Sequence, residues 1–109
     1  MTRILLDAVL VALAEPTRRQ LLDLLAERGE ASASTLAQGL PVTRQAVVKH
    51  LAVLDDAGLV SSRRAGREVR YRTRPERLAE AARDLSELAT AWETRLATIK
   101  RLAEEEEGA

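Results

Sequence analysis

The chain has no cysteine and no phenylalanine, and Tyr71 and Trp92 are its only tyrosine and tryptophan. The missing thiols exclude disulfides, thiolate metal sites and cysteine nucleophiles, and suit a reducing cytoplasm. With so few large rings the core has to be built from Leu, Val, Ile and Ala. A domain this small buries a modest share of its surface, so a dimer interface would relieve the shortage. Long apolar runs are also missing. The richest stretch, Ile4–Ala14, is interrupted by Asp7 and has no cleavage pattern behind it. No segment approaches the ~18 apolar residues of a membrane span. The expectation is one cytoplasmic, membrane-free domain over residues 1–103, with 104–109 as an acidic flexible tail.

Net charge is the remaining absence: 17 basic and 17 acidic residues cancel. The sum hides a strong segregation. Residues 1–42 hold four basic and five acidic groups, residues 43–74 eight and three, and residues 75–109 five and nine. The middle third is therefore strongly basic between two acidic flanks, and distribution matters more than total for an anionic partner.

Periodicity supplies the elements. Leu5, Leu6, Val9, Leu10 and Leu13 sit at helical spacing in a stretch that is apolar nearly all round, so this first helix buries against more than one partner. Pro16 restarts the pattern, and Leu21, Leu22, Leu24 and Leu25 continue it to Gly29. Ser32 or Ser34 caps a short third helix that Gly39-Leu40-Pro41 interrupts. Thr43 caps a fourth, in which Ala46, Val47, Leu51 and Leu54 recur until Gly58.

Leu59–Arg64 and Glu68–Arg74 alternate like strands and meet across Ala65-Gly66-Arg67. From Pro75, Leu78, Leu85, Trp92 and Ile99 repeat every seven residues with Ala81, Leu88, Leu96 and Leu102 between them, which predicts one long helix over 76–102. The expected fold is mainly α with a small β-hairpin, in the order α-α-α-α-β-β-α. That order is a winged helix-turn-helix.

In such a unit the second helix of the pair enters the DNA major groove with its N-terminal residues against base edges. Val47, Leu51 and Leu54 would anchor that helix, leaving Arg44, Gln45, Val48, Lys49 and Ala52 outside. Arginine pairs with guanine and glutamine with adenine through two hydrogen bonds each, and Val48 suits a thymine methyl. Lys49 suits phosphate. The hairpin adds Arg63, Arg64, Arg67 and Arg72, with Arg67 at the turn the strongest candidate, while Arg70 and Arg74 fit a solvated strand face. The nucleic-acid set is thus Thr43, Arg44, Gln45, Val48, Lys49, His50, Arg63, Arg64, Arg67 and Arg72.

His50 fits a phosphate contact, a structural hydrogen bond or a pH-sensitive contact, with the structural role favoured. Leu6, Val9, Leu10 and Leu13, with Leu85, Leu88, Trp92, Leu96 and Ile99, are the expected dimer interface. No nucleophile paired with a base, phosphate-binding glycine loop or carboxylate cluster stands out, so neither catalysis nor a cofactor is expected. A lone histidine without cysteine gives no metal-ligand spacing.

From Leu13 to Thr73 the chain resembles the ArsR/SmtB family of winged-helix repressors. Three stretches carry the resemblance: Ala14-Glu15-Pro16-Thr17-Arg18-Arg19, Gln45-Ala46-Val47-Val48-Lys49-His50-Leu51, and Leu54-Asp55-Asp56-Ala57-Gly58-Leu59-Val60 leading to Arg63-Arg64-Ala65-Gly66-Arg67 and Tyr71. The resemblance implies a homodimer formed by the first and last helices that represses transcription from a roughly palindromic duplex. The chain departs from the metal-sensing members. It lacks the cysteine pair near the third helix and has no histidine on the last helix to complete an acid-and-histidine ligand set. A regulator responding to an unidentified small organic effector bound between helices is a further reading, compatible with the repressor. Val48 stands where the family usually has Ser or Thr, which implies a different DNA preference. The alternative reading, motivated by the acidic C-terminal third, is a winged helix used as a protein-interaction module without direct DNA binding.

Overall fold

The computed structural model describes residues 2–108, with side chains described from Leu5 onward. Its elements are α1 (Thr2–Ala14), α2 (Pro16–Arg28), β1 (Ala31–Ser32), α3 (Ala33–Gln38), α4 (Arg44–Asp56), β2 (Val60–Ala65), β3 (Glu68–Thr73) and α5 (Pro75–Gly108). The strand β1 is an addition to the expected order. Its two residues pair antiparallel with Tyr71 and Arg70, which makes a three-stranded sheet in the order β1-β3-β2.

The local chemistry explains the boundaries. Glu15 caps α2 by accepting from the Arg18 backbone N–H, and Pro16 follows where a missing N–H costs nothing. Ser32 caps α3 and Thr43 caps α4, each hydroxyl accepting a backbone N–H three residues on. At the end of α4, Gly58 turns to φ +76°. Leu59 N–H donates to Leu54 C=O at 2.9 Å and Gly58 N–H to Asp55 C=O at 2.9 Å. This pair of bonds is a Schellman motif, and the accompanying apolar contact joins the buried Leu54 and Leu59. The wing turns through Gly66 and Arg67 between the paired Ala65 and Glu68. Gly66 has φ +66° and Arg67 does not have a positive φ, the type II′ arrangement that matches strand twist.

One apolar cluster holds the body together. Leu21 and Leu25 of α2, Leu36 of α3, Val47, Leu51 and Leu54 of α4, and Val60 of β2 have no solvent exposure. Burial of each such side chain is worth about 1.5–3 kcal/mol. Leu6, Val9 and Ala12 of α1 and Ala81 of α5 close the cluster from the other side. This corrects one expectation: Leu6 and Val9, assigned to a dimer interface, are 6% and 1% exposed and face the protomer's own core. Leu13 also packs partly against it, whereas Leu10 stays 42% exposed.

The helix α5 leaves the body after Ala81, giving a molecule 74 Å long and 26 Å by 21 Å across. Leu88 is half-buried, while Leu85, Trp92, Leu96 and Ile99 are 43, 58, 66 and 62% exposed. The helix also runs past Leu102 through Glu104–Glu107, where the sequence suggested a tail. Glutamate is a good helix former, and Arg101 reaches Glu105 one turn on, so the acidic run continues the helix. Ala109, the last residue of that expected tail, lies outside the described residues.

The corner between α1 and α2 is fastened by two arginines. Arg18 donates through Nε to Ala12 C=O at 2.7 Å and through Nη2 to Val11 C=O at 3.1 Å. Arg19 donates to Leu13 C=O. Cations here satisfy carbonyls that the end of a helix leaves without partners, and suit its negative pole. Replacing Arg18 by Ala is expected to cost about 1–3 kcal/mol of stability in urea unfolding at fixed protein concentration. Lysine should restore little of it, because its single ammonium cannot span both carbonyls. A loss below about 0.5 kcal/mol would contradict this role, since that is the range of an uninvolved surface residue.

Candidate nucleic-acid interface

The orientation of α4 follows from its three core residues. With Val47, Leu51 and Leu54 at zero exposure, the opposite face carries Arg44, Gln45, Val48, Lys49 and Ala52, all exposed. Thr43 precedes them as N-cap, its Oγ1 accepting from Ala46 N–H at 3.1 Å. No acidic residue stands in the first turn. The positive pole of the helix and its free N–H groups therefore point outward unneutralised, which favours an anion such as a backbone phosphate.

An open cleft of about 400 Å³ separates this face from the wing. Arg44 and Val48 line one wall, Arg67, Glu68, Val69 and Tyr71 the other, and Ser32 and Ser34 close its end. Arg44 spans toward α3, its Nε donating to Ser34 Oγ at 3.0 Å.

The sheet register sorts the wing arginines by face. Arg64 stands opposite Val69 and Ser62 opposite Tyr71, so Arg64 shares the side that lines the cleft. Arg63 stands opposite Arg70 and Ser61 opposite Arg72, which puts Arg63, Arg70 and Arg72 on the reverse side. There Glu30, between α2 and β1, takes Arg63 with two bonds, Nε to Oε2 at 2.9 Å and Nη2 to Oε1 at 2.6 Å. Arg70 Nη1 approaches the same carboxylate at 3.8 Å, and Arg70 Nε meets Glu68 at 3.2 Å. Arg74 pairs with Glu76 at 3.0 Å.

The hydrogen bond from Arg63, with the positive charges of Arg63, Arg70 and Arg72, holds the Glu30 carboxyl below its ordinary value against a smaller opposing effect of burial. Among the described residues, Arg44, Lys49, Arg64, Arg67 and Arg72 make no ion pair, and four of these five lie on α4, on the cleft side of the wing or at its tip.

Two expected members of the nucleic-acid set are therefore placed elsewhere. Arg63 is engaged by Glu30 on the far side of the wing. His50 turns from the outer face of α4 toward α2, where Nδ1 lies 3.3 Å from Arg18 Nη1 and Nε2 lies 3.7 Å from Glu15 Oε2. Its half-buried ring ties α4 to the arginine that fastens α1, the structural role favoured from the sequence. Arg72 shares the reverse side with Arg63 but has no carboxylate partner. The contributions of Ser34, Glu30 and Arg18 were not anticipated. The adjacent arginines three and four residues beyond Glu15 were the one sequence signal available for the helix-end contacts.

The helix α3 carries no cysteine and α5 no histidine, so neither supplies a thiolate or an imidazole to a metal. No group of three His, Cys, Asp or Glu side chains able to hold a metal ion occurs among the described residues. None of the described helices is long and apolar enough to cross a membrane.

Known proteins are similar to this chain in sequence and in fold. A family model described as a helix-turn-helix domain matches residues 13–63. The HTH-type transcriptional regulator Rv2034 of Mycobacterium tuberculosis is 42% identical over 84 residues, spanning 77% of this chain and 78% of that protein. The arsenical resistance operon repressor of Escherichia coli K12 is 36% identical over 80 residues, spanning 73% and 66%. Among solved structures, an ArsR-like transcriptional regulator from Rhodococcus sp. RHA1 superposes with a TM-score of 0.83 at 45% identity, covering 94% of this chain and 95% of that one.

The Glu30 clasp sets a titration. A carboxyl held below its ordinary value stabilises the fold above that value, and the contribution is lost as pH falls through the lowered one. A carboxyl NMR titration should place the Glu30 midpoint below 4.5, the ordinary value. Arg63→Ala should move it back upward, whereas Arg67→Ala should leave it in place. A midpoint at or above the ordinary value in the unaltered protein would contradict the clasp.

Proposed function

The chain belongs to the ArsR family of helix-turn-helix transcriptional regulators, and on that premise we propose that it is a homodimeric repressor whose paired α4 helices read a roughly palindromic operator. It is a DNA-binding regulator of transcription; the dimer, the operator symmetry and the site residues are the proposal. The observation that carries it is the outer face of α4, which presents Arg44, Gln45, Val48 and Lys49 beside a cleft whose far wall ends in Arg67. Arg44 and Gln45 are the base readers, Val48 takes a thymine methyl, and Lys49, Arg64 and Arg67 contact phosphates or the neighbouring minor groove.

Dimerisation is supported by the apolar stripe of α5. A run of Leu85, Trp92, Leu96, Ile99 and Leu102 at 43–66% exposure is more apolar surface than a helix leaves in water without a partner. Leu10 and Val11 of α1, 42% and 64% exposed, extend it. In this proposal a second copy covers both, so Leu10, Leu85, Leu88, Trp92, Leu96 and Ile99 form the interface. The two α4 helices would then lie about one helical turn of DNA apart, ~34 Å, and occupancy would block transcription.

A small organic effector bound between helices is proposed as the signal that releases the operator, a reading compatible with a chain that has no cysteine and no histidine on its last helix. The protein belongs to the cytoplasm in this reading, with no catalysis of its own. The grouping of Arg44, Lys49, Arg64 and Arg67, none of them in an ion pair among the described residues, on α4 and the facing side and tip of the wing does not favour the protein-interaction alternative.

Fluorescence anisotropy against the intergenic duplex upstream of its own gene and a scrambled duplex, at two salt concentrations, tests the reading. The native duplex should bind more tightly, with an affinity that falls steeply as salt rises. Arg67→Ala should weaken both duplexes alike and reduce the logarithmic salt slope by about 1 per site. Leu96→Glu should give a folded monomer in sedimentation and lose operator preference. Equal binding to both duplexes by a folded dimer would overturn the proposal.

A further inference from the structure

Two serines lie at the start of α3, and the helix needs only one of them as a cap. Ser32 takes that role, its Oγ accepting from Thr35 N–H at 3.2 Å and donating to Thr35 Oγ1 at 3.1 Å. Ser34, inside the first turn and exposed, is left for another use. Its Oγ accepts from Arg44 Nε at 3.0 Å across the turn that joins α3 to α4. Arg44 is the first residue of α4, so the Thr43 cap fixes its backbone while Ser34 holds its side chain.

From this geometry we propose that Ser34 is the positioning residue for Arg44, setting the guanidinium so that it reads a base end-on through Nη1 and Nη2. The proposal rests on the reading of α4 as the base-contacting helix and adds the device that gives Arg44 its specificity.

A guanidinium has five N–H donors in a rigid fork. With Nε committed to Ser34, the side-on pair of Nε and Nη2 is no longer available. The two terminal nitrogens remain, spaced to match the two acceptors of guanine in the major groove.

The nature of the acceptor matters as much as its position. Glu30 holds Arg63 through a carboxylate and cancels its charge, whereas a serine hydroxyl holds Arg44 and leaves the charge intact. Arg44 makes no ion pair among the described residues. An arginine already confined also loses less side-chain freedom on binding, which favours affinity for the one sequence that fits its pose.

The test combines a measurement on the free protein with one on the complex. In the free protein, Ser34→Ala should speed hydrogen exchange of the Arg44 Nε–H severalfold in NMR, and Ser34→Thr should keep it slow. This outcome does not depend on the operator, so it separates failure of the contact from failure of the regulator reading. Unchanged exchange in Ser34→Ala overturns the proposal.

On DNA, Ser34→Ala should weaken native-duplex binding about two- to tenfold. Scrambled-duplex affinity and the salt slope should stay the same. In an Arg44→Ala background the serine change should have no further effect, and Ser34→Thr should restore most of the preference. An equal loss with and without Arg44, or an equal loss on both duplexes, also overturns it.

Discussion

The burial of Val47, Leu51 and Leu54 is the constraint on which the rest depends. These three side chains fix how far α4 is rotated about its own axis, and a change of one position in the helix turns a side chain by about 100°. Because they lock into leucines from α2 and α3 with no exposure, Arg44, Gln45, Val48, Lys49 and Ala52 face outward. The proposed DNA-facing surface is thus a consequence of core packing. Arg18 and His50 extend the same constraint to α1, linking the carbonyl end of that helix to α4 through one guanidinium and one imidazole.

Charge is then sorted by short contacts. The basic middle third of the chain contains more arginines than a single face can use, and carboxylates on α5, on β3 and before β1 engage the surplus. Glu30, Glu68 and Glu76 take Arg63, Arg70 and Arg74. The cations left unpaired on α4, on the cleft side of the wing and at its tip make a locally basic surface, with Glu68 the one carboxylate lining the cleft, in a molecule of zero net charge. This local imbalance gives a neutral protein an electrostatic route to DNA. A neutral hydroxyl orients the one arginine whose charge and direction both matter.

Much of this was legible in the chain. The helices α2 and α4 and the hairpin announce themselves through periodicity, hydroxyl caps and glycine stops, because those signals act within a few residues. The strand β1 was not legible, since two residues are too few to alternate. The first helix is apolar nearly all round, so spacing could not tell that Leu6 and Val9 face inward while Leu10 faces out. Charge suggested a tail at Glu104–Glu107, where helix propensity carries α5 onward. Arg63 and His50 looked like DNA contacts because their partners, Glu30 and Arg18, lie 33 and 32 residues away in sequence. Only the folded chain brings those pairs together.

In the proposed complex the outer face of α4, and not the reverse side of the wing, meets the bases. The most direct test is site-specific photocrosslinking to the native duplex, with a photoreactive side chain placed at Gln45 in one variant and at Arg63 in another. Crosslinks are expected from position 45 to bases in the major groove at two symmetry-related places, and none to bases from position 63. Base crosslinks from position 63 with none from position 45 would contradict the proposed complex.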